Sequence, residues 1–171
     1  MPKDISGVLR LHDGITSAEF ALATVALAVL LCSFLFEVVS RYFFGAPTRW
    51  SSDLVQYSLC VSGALAFPAV TREGGHIAIT SFLEKLSASR QVVASKAIVW
   101  LGAVTLFGTT ALFVHVASEQ ARQGIETVAA FAIPKWWLTS VVALGLFDGG
   151  LHLLRQALGW SRASTGQESE L

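Results

Sequence analysis

Residues 20–57 read FALATVALAVLLCSFLFEVVSRYFFGAPTRWSSDLVQY. The run from Phe20 to Phe36 carries no charge. A helix crossing a hydrocarbon core of about 30 Å takes roughly 20 residues, with about 17 as a workable minimum. The run ends in Glu37 and Arg41. Tyr42, Phe43 and Phe44 follow, then a Gly45-Ala46-Pro47 turn, Arg49-Trp50 and Asp53, and at once a second uncharged run, Leu54 to Val70. Amphipathic rings prefer the headgroup level, and Gly and Pro break a helix where it leaves the oil. The stretch therefore predicts two membrane-spanning helices joined by a hairpin whose tip lies at a membrane surface.

The rest of the chain repeats the pattern. Ala97 to Ser118 is uncharged, and Trp136 to Leu154 is interrupted only by Asp148 and His152. Of the 171 residues, 53% are hydrophobic and 14% charged, where a soluble domain carries about a quarter. Twelve basic and twelve acidic side chains cancel, so no bulk field points to nucleic acid. A backbone in lipid must satisfy its own hydrogen bonds, and the alternating short strands of a barrel are missing, so the spans are helices. The expectation is an all-α integral membrane protein with four transmembrane helices, a single membrane domain over 1–171. Its spans fall near 18–44, 52–72, 92–118 and 135–158, with a polar tail at 161–171. Lys3 and Arg10 would suit the basic start of a signal peptide. The apolar run, however, begins only after Asp13 and Glu19, and aromatics and charges follow it in place of a small-residue cleavage site, so the first span is expected to stay.

Basic residues set the orientation. With the N-terminus cytoplasmic, Lys3, Arg10, Arg72, Lys85, Arg90, Lys96, Arg155 and Arg162 lie inside, against Arg41, Arg49, Arg122 and Lys135 outside. The excess favours both termini in the cytoplasm. Between spans two and three, Gly74 and Gly75 end the helix, and Ile79, Phe82, Leu83 and Leu86 recur at helical spacing behind a Ser81–Glu84 capping box. A short amphipathic helix in the membrane plane at about 77–89 is expected, with phospholipid as its partner. His76 at its entry reads as a capping or interfacial residue.

Several polar residues sit where lipid should be. Glu37 and Arg41 stand at i, i+4 in the favourable order for an ion pair. Glu37 lies about a turn and a half inside the outermost aromatics, where a carboxylate faces protein or water. Ser51 or Ser52 would cap the second helix, with Asp53 near its positive end. Glu37, Arg41, Arg49, Trp50 and Asp53 are therefore expected to form one polar and aromatic knot that locks the hairpin and presents it to a partner. Asp148 and His152 share one face of span four. They read either as an inward-facing polar pair, with Gly145, Gly149 and Gly150 permitting close helix approach, or as the proton relay of a stand-alone exporter. One haem cannot use both His115 and His152, which stand roughly 20 Å apart along the membrane normal at 1.5 Å of rise per residue. Cys32 and Cys60 read as small apolar side chains. The chain shows no phosphate loop, no catalytic or cofactor motif and no metal-ligand spacing, so no enzyme activity, cofactor or metal is expected. The segment EQARQGIETVAAFAIPKWW (119–137) is too apolar for an unattached loop. It would press on the bilayer or a neighbouring span, or face a partner together with Arg49 and Trp50.

The set Arg41-Tyr42-x-Phe44, Pro47, Trp50, the acid at 53 and Tyr57 resembles the small membrane subunit of TRAP transporters, the tripartite ATP-independent periplasmic (DctQ-like) family. TREGGHIAI (71–79) and IPKWW (133–137) are similar to later segments of that family. The family more often has Glu at position 53, and a basic residue and Asp where this chain has Ala78 and Thr80. The resemblance implies a scaffold subunit in a bacterial inner membrane. Its partners would be a large sodium-coupled subunit, which carries an organic anion such as a carboxylate or sulfonate, and a periplasmic substrate-binding protein. Glu37, Arg41, Arg49, Trp50, Asp53 and His76 are the candidate partner-interface residues.

Overall fold

The computed structural model describes residues 3–73 and 88–159. His76, the polar tail and the expected in-plane helix at 77–89 fall outside these residues, except that 88 and 89 belong to the third helix. Four helices make up the fold: α1 (Lys3–Phe44), α2 (Ser51–Arg72), α3 (Ala88–Gln123) and α4 (Lys135–Ala157). All four are long and apolar enough to cross a membrane. Among the described residues there is no strand, only an isolated bridge between Glu126 and Pro134. The chain is a multi-pass, all-helical membrane protein. The end where α1 starts and α4 finishes is called proximal here, and the end with the α1–α2 turn and the α3–α4 loop distal.

Helix α1 packs on α2, α2 on α4, and α4 on α3. The pattern that builds this row is inverted relative to a soluble bundle. Leu22, Val25, Leu31 and Leu35 point outward, each more than half exposed within the chain, whereas Thr16, Glu19, Ala23 and Ser33 are buried. Lipid tails are as apolar as leucine, so nothing is gained by hiding Leu from them, and helices associate through small and polar residues instead. Residues 12, 16, 19, 23, 26, 30, 33 and 37 step by four and three along α1 and form its inward stripe.

The α2–α4 contact is set by one proline and two glycines, and a third glycine seats α4 on α3. Pro68, inside α2, has no N–H, so the Ala64 carbonyl one turn earlier loses its helical donor. Helix α4 places Gly145 against that oxygen, so close that a Cβ there would stand 2.0 Å from it. Gly149 meets the Phe67 ring and Gly150 the Phe107 ring. The α1–α2 turn uses Gly45 at φ 61°, with Ala46 N donating to Ser40 O at 3.2 Å. Helix α1 continues well ahead of its apolar run, to Lys3, because residues 12 to 19 are held by α4.

Candidate functional site

At the proximal end α1 and α4 meet in a buried polar cluster. His12 Nε2 lies 2.5 Å from Asp148 Oδ1, and its Nδ1 lies 2.6 Å from an Arg155 guanidinium nitrogen. A guanidinium can only donate, so Nδ1 accepts and Nε2 carries the proton that it gives to Asp148. Thr16 Oγ1 sits 2.8 Å from Asp148 Oδ2 and 2.8 Å from His152 Nε2. The carboxylate is the stronger acceptor for the single hydroxyl proton, so His152 Nε2–H donates to Thr16. The two imidazoles stack with centroids 4.3 Å apart. Arg155 also pairs with Asp13 at 2.7 Å, and Arg72 donates to Ser17 Oγ at 3.2 Å. Thr16 is fully enclosed, and Asp148 and His152 are 5% and 3% exposed.

The expected Asp148–His152 pair is thus present but indirect. Nε2 and Oδ2 are 3.8 Å apart, and Thr16 bridges them. Sequence reasoning missed His12 and Thr16, which look like solvent-side residues beside Arg10 and Asp13. The available signal was the four-three stepping of polar residues that continues the α1 stripe ahead of Phe20. Glu19, three residues beyond Thr16, is 6% exposed and faces Asp148. Its Oε2 is buried without a hydrogen-bond partner among the described residues. A polar cavity of about 460 Å³ borders the cluster, lined by Asp13, Ser17, Arg72, Glu73, His152, Arg155 and Gln156.

At the distal end Glu37 is the centre of the expected knot, with its side chain 14% exposed. Oε1 accepts from Arg41 Nε at 3.1 Å and from its terminal nitrogen at 2.5 Å. Oε2 accepts from Thr48 N and Ser51 Oγ, both at 2.9 Å, and from the Thr48 hydroxyl. One carboxylate thus ties the end of α1 to the start of α2. The knot differs from expectation in two members, Asp53 and Arg49, and the helix cap differs as well. Trp50, not a serine, occupies the cap position of α2, and no side chain caps it; the Ser51 hydroxyl is engaged by Glu37. Asp53 does not join Glu37, because its Oδ2 accepts from Phe131 N at 3.1 Å, across the bundle. Arg49 is exposed and makes no ion pair among the described residues, while Trp50 stacks on Phe36 with centroids 5.7 Å apart.

Asp53 and Tyr57 explain the apolar loop. Tyr57 Oη lies 2.6 Å from Thr127 Oγ1 and donates to Phe131 O at 3.0 Å. The loop closes on itself through Thr127 N to Ile133 O at 2.9 Å and Lys135 N to Ile125 O at 3.0 Å. It is therefore pressed against α2, with Val128 and Phe131 projecting from its tip. Both ends of the molecule are built to join helices.

Compared with known proteins, residues 18–163 match the family described as tripartite ATP-independent periplasmic transporters, DctQ component. No individual curated protein matches the chain at a significant level. The match takes in α1 from residue 18 onward, all of α2, α3 and α4, and both polar sites apart from His12, Asp13, Thr16 and Ser17, and the chain belongs to the DctQ family, the small membrane component of TRAP transporters.

Proposed function

We propose that this chain braces the large sodium-coupled subunit of a TRAP transporter and helps to dock the periplasmic binding protein during uptake of an organic anion such as a carboxylate or sulfonate. In this reading the proximal end and both termini are cytoplasmic, the membrane is a bacterial inner membrane, and the distal end faces the periplasm. The chain itself has no catalytic role. The observation that carries the reading is the distal end. The Glu37 knot fixes the α1–α2 hairpin, Asp53 and Tyr57 fix the α3–α4 loop to it, and Arg49, Val128 and Phe131 are left projecting from that rigid base. A rigid rim with exposed charged and apolar groups is what a docking partner reads.

A second reading, a stand-alone proton-coupled exporter, draws on the buried His12–Asp148–Thr16–His152 chain. Coexpression with candidate large subunits, followed by affinity purification and reconstitution, separates the two. The bracing subunit should be recovered in a one-to-one complex and should not transport alone. Homo-oligomers that move substrate in liposomes without a partner would overturn the proposal in favour of the exporter.

A further inference from the structure

Two buried carboxylates face each other at the proximal cluster, Asp148 and Glu19, 5% and 6% exposed. Arg155 is engaged by Asp13 and by His12 Nδ1, and Arg72 by Ser17 and the Asp13 carbonyl. Among the described residues no Lys or Arg makes an ion pair with either carboxylate. Charges in a low-dielectric site are costly unless matched, so the cluster has room for one more positive charge. Its donors are specific. One atom each from His12, Asp148 and His152 lie within 4.8 Å of one another. Two imidazoles and a carboxylate are the donor set of a zinc-type ion. Around a tetrahedral ion with bonds of about 2.1 Å the donors stand roughly 3.4 Å apart, so modest side-chain rotations bring these three together. Asp148 and His152, at i and i+4, offer two ligands from one helix face. The Thr16 hydroxyl lies beside the fourth position, and the bordering cavity reaches His152 from the proximal surface.

We propose that His12, Asp148 and His152 bind one divalent transition-metal ion of zinc type, which pins α1 to α4. This inference does not depend on the transport role. An entering ion takes the place of the Nε2 protons on both rings. Each ring then carries its proton on Nδ1, and Arg155, released by His12, keeps Asp13 as its acceptor. No electron is transferred, and no co-reactant is needed.

The test uses the full chain in detergent, stripped with chelator and then equilibrated with Zn²⁺ or Co²⁺ alone. Wild type should retain one ion per chain. Asp148→Asn and His152→Gln should weaken binding by about tenfold or more at unchanged helical content. The variant H76Q/H115Q, whose remaining histidines are His12 and His152, should bind like wild type. X-ray absorption at its zinc edge should show two imidazoles, a readout that holds even if the cluster variants fail to fold. A helical wild type that binds neither ion would overturn the proposal and leave protons to neutralise the carboxylates. Binding that is lost in H76Q/H115Q, or a zinc spectrum without imidazole, would overturn it equally.

Discussion

Replacing Gly145 by alanine tests how closely α2 and α4 must approach. The added Cβ would stand 2.0 Å from Ala64 O, whereas ordinary contact begins at 3.4 Å. The helices must therefore move apart by about 1.4 Å (3.4 − 2.0) at that level. The obstacle is backbone and cannot swing aside, which places the cost near the upper end of overpacking, about 3 kcal/mol. Alanine returns about 1 kcal/mol of helix propensity, leaving a net loss of about 2 kcal/mol. Gly63 provides the control: a Cβ there meets nothing within 4 Å, so Gly63→Ala should gain up to about 1 kcal/mol. Gly149→Ala should fall between them, because its obstacle is the Phe67 ring at 2.5 Å, a side chain that can rotate. Thermal unfolding of the purified chain in one detergent, followed by tryptophan fluorescence, would rank the three. At roughly 2–4 °C per kcal/mol for a chain of this size, Gly145→Ala should melt about 4–8 °C below wild type. If it melts at or above Gly63→Ala, the close approach at Ala64 is not what joins α2 to α4.

Thr16→Val should cost about 2–3 kcal/mol in the same melt, since Asp148 Oδ2 and His152 Nε2 each lose their bridging partner, and Thr16→Ser should recover most of it. Tyr57→Phe removes two hydrogen bonds from the α3–α4 loop and should cost about 1–2 kcal/mol; faster amide exchange over residues 125–133 would confirm the tether, and unchanged exchange would refute it. Glu37→Ala and Arg41→Ala should each lower recovery of the complex with the large subunit in size-exclusion chromatography. The double change should lower it by less than the two losses combined, because it leaves no unmatched charge; strict additivity would deny the coupling. A cytoplasmic reporter fused to the C-terminus should be active and a periplasmic one silent, and the reverse pattern would invert the orientation.

The four spans were legible because charge is excluded from lipid, so runs such as Phe20 to Phe36 outline the helices directly. The Glu37–Arg41 pair was legible because both partners sit one turn apart on one helix. Contacts between distant segments were not. His12 meets Asp148 across 136 positions, and only the stepping of His12, Thr16 and Glu19 along α1 sets His12 apart from an ordinary solvent-side histidine. Asp53 was expected beside Glu37 because the two are close in the chain. Its partner instead comes from a loop 78 positions away, and an acid in a first helical turn is chemically indifferent to which donor it finds. Ser51 failed as a cap for a related reason: a half-buried carboxylate with space for another donor outcompetes a helix end that water can satisfy.

The length of α1 has one more consequence. Its 42 residues make a rod of about 63 Å at 1.5 Å per residue, roughly twice the thickness of the oil. Tilting alone does not absorb such an excess, so part of the rod stands outside. The two polar sites bracket the portion that stays in, with His12 and Asp13 toward one boundary and Glu37 and Arg41 toward the other. Together with the ring of Tyr42, Phe43 and Phe44 they act as a depth gauge that sets how far the bundle sinks into the bilayer. A thinner or thicker membrane would then have to deform around the protein, because neither mark can slide into the oil.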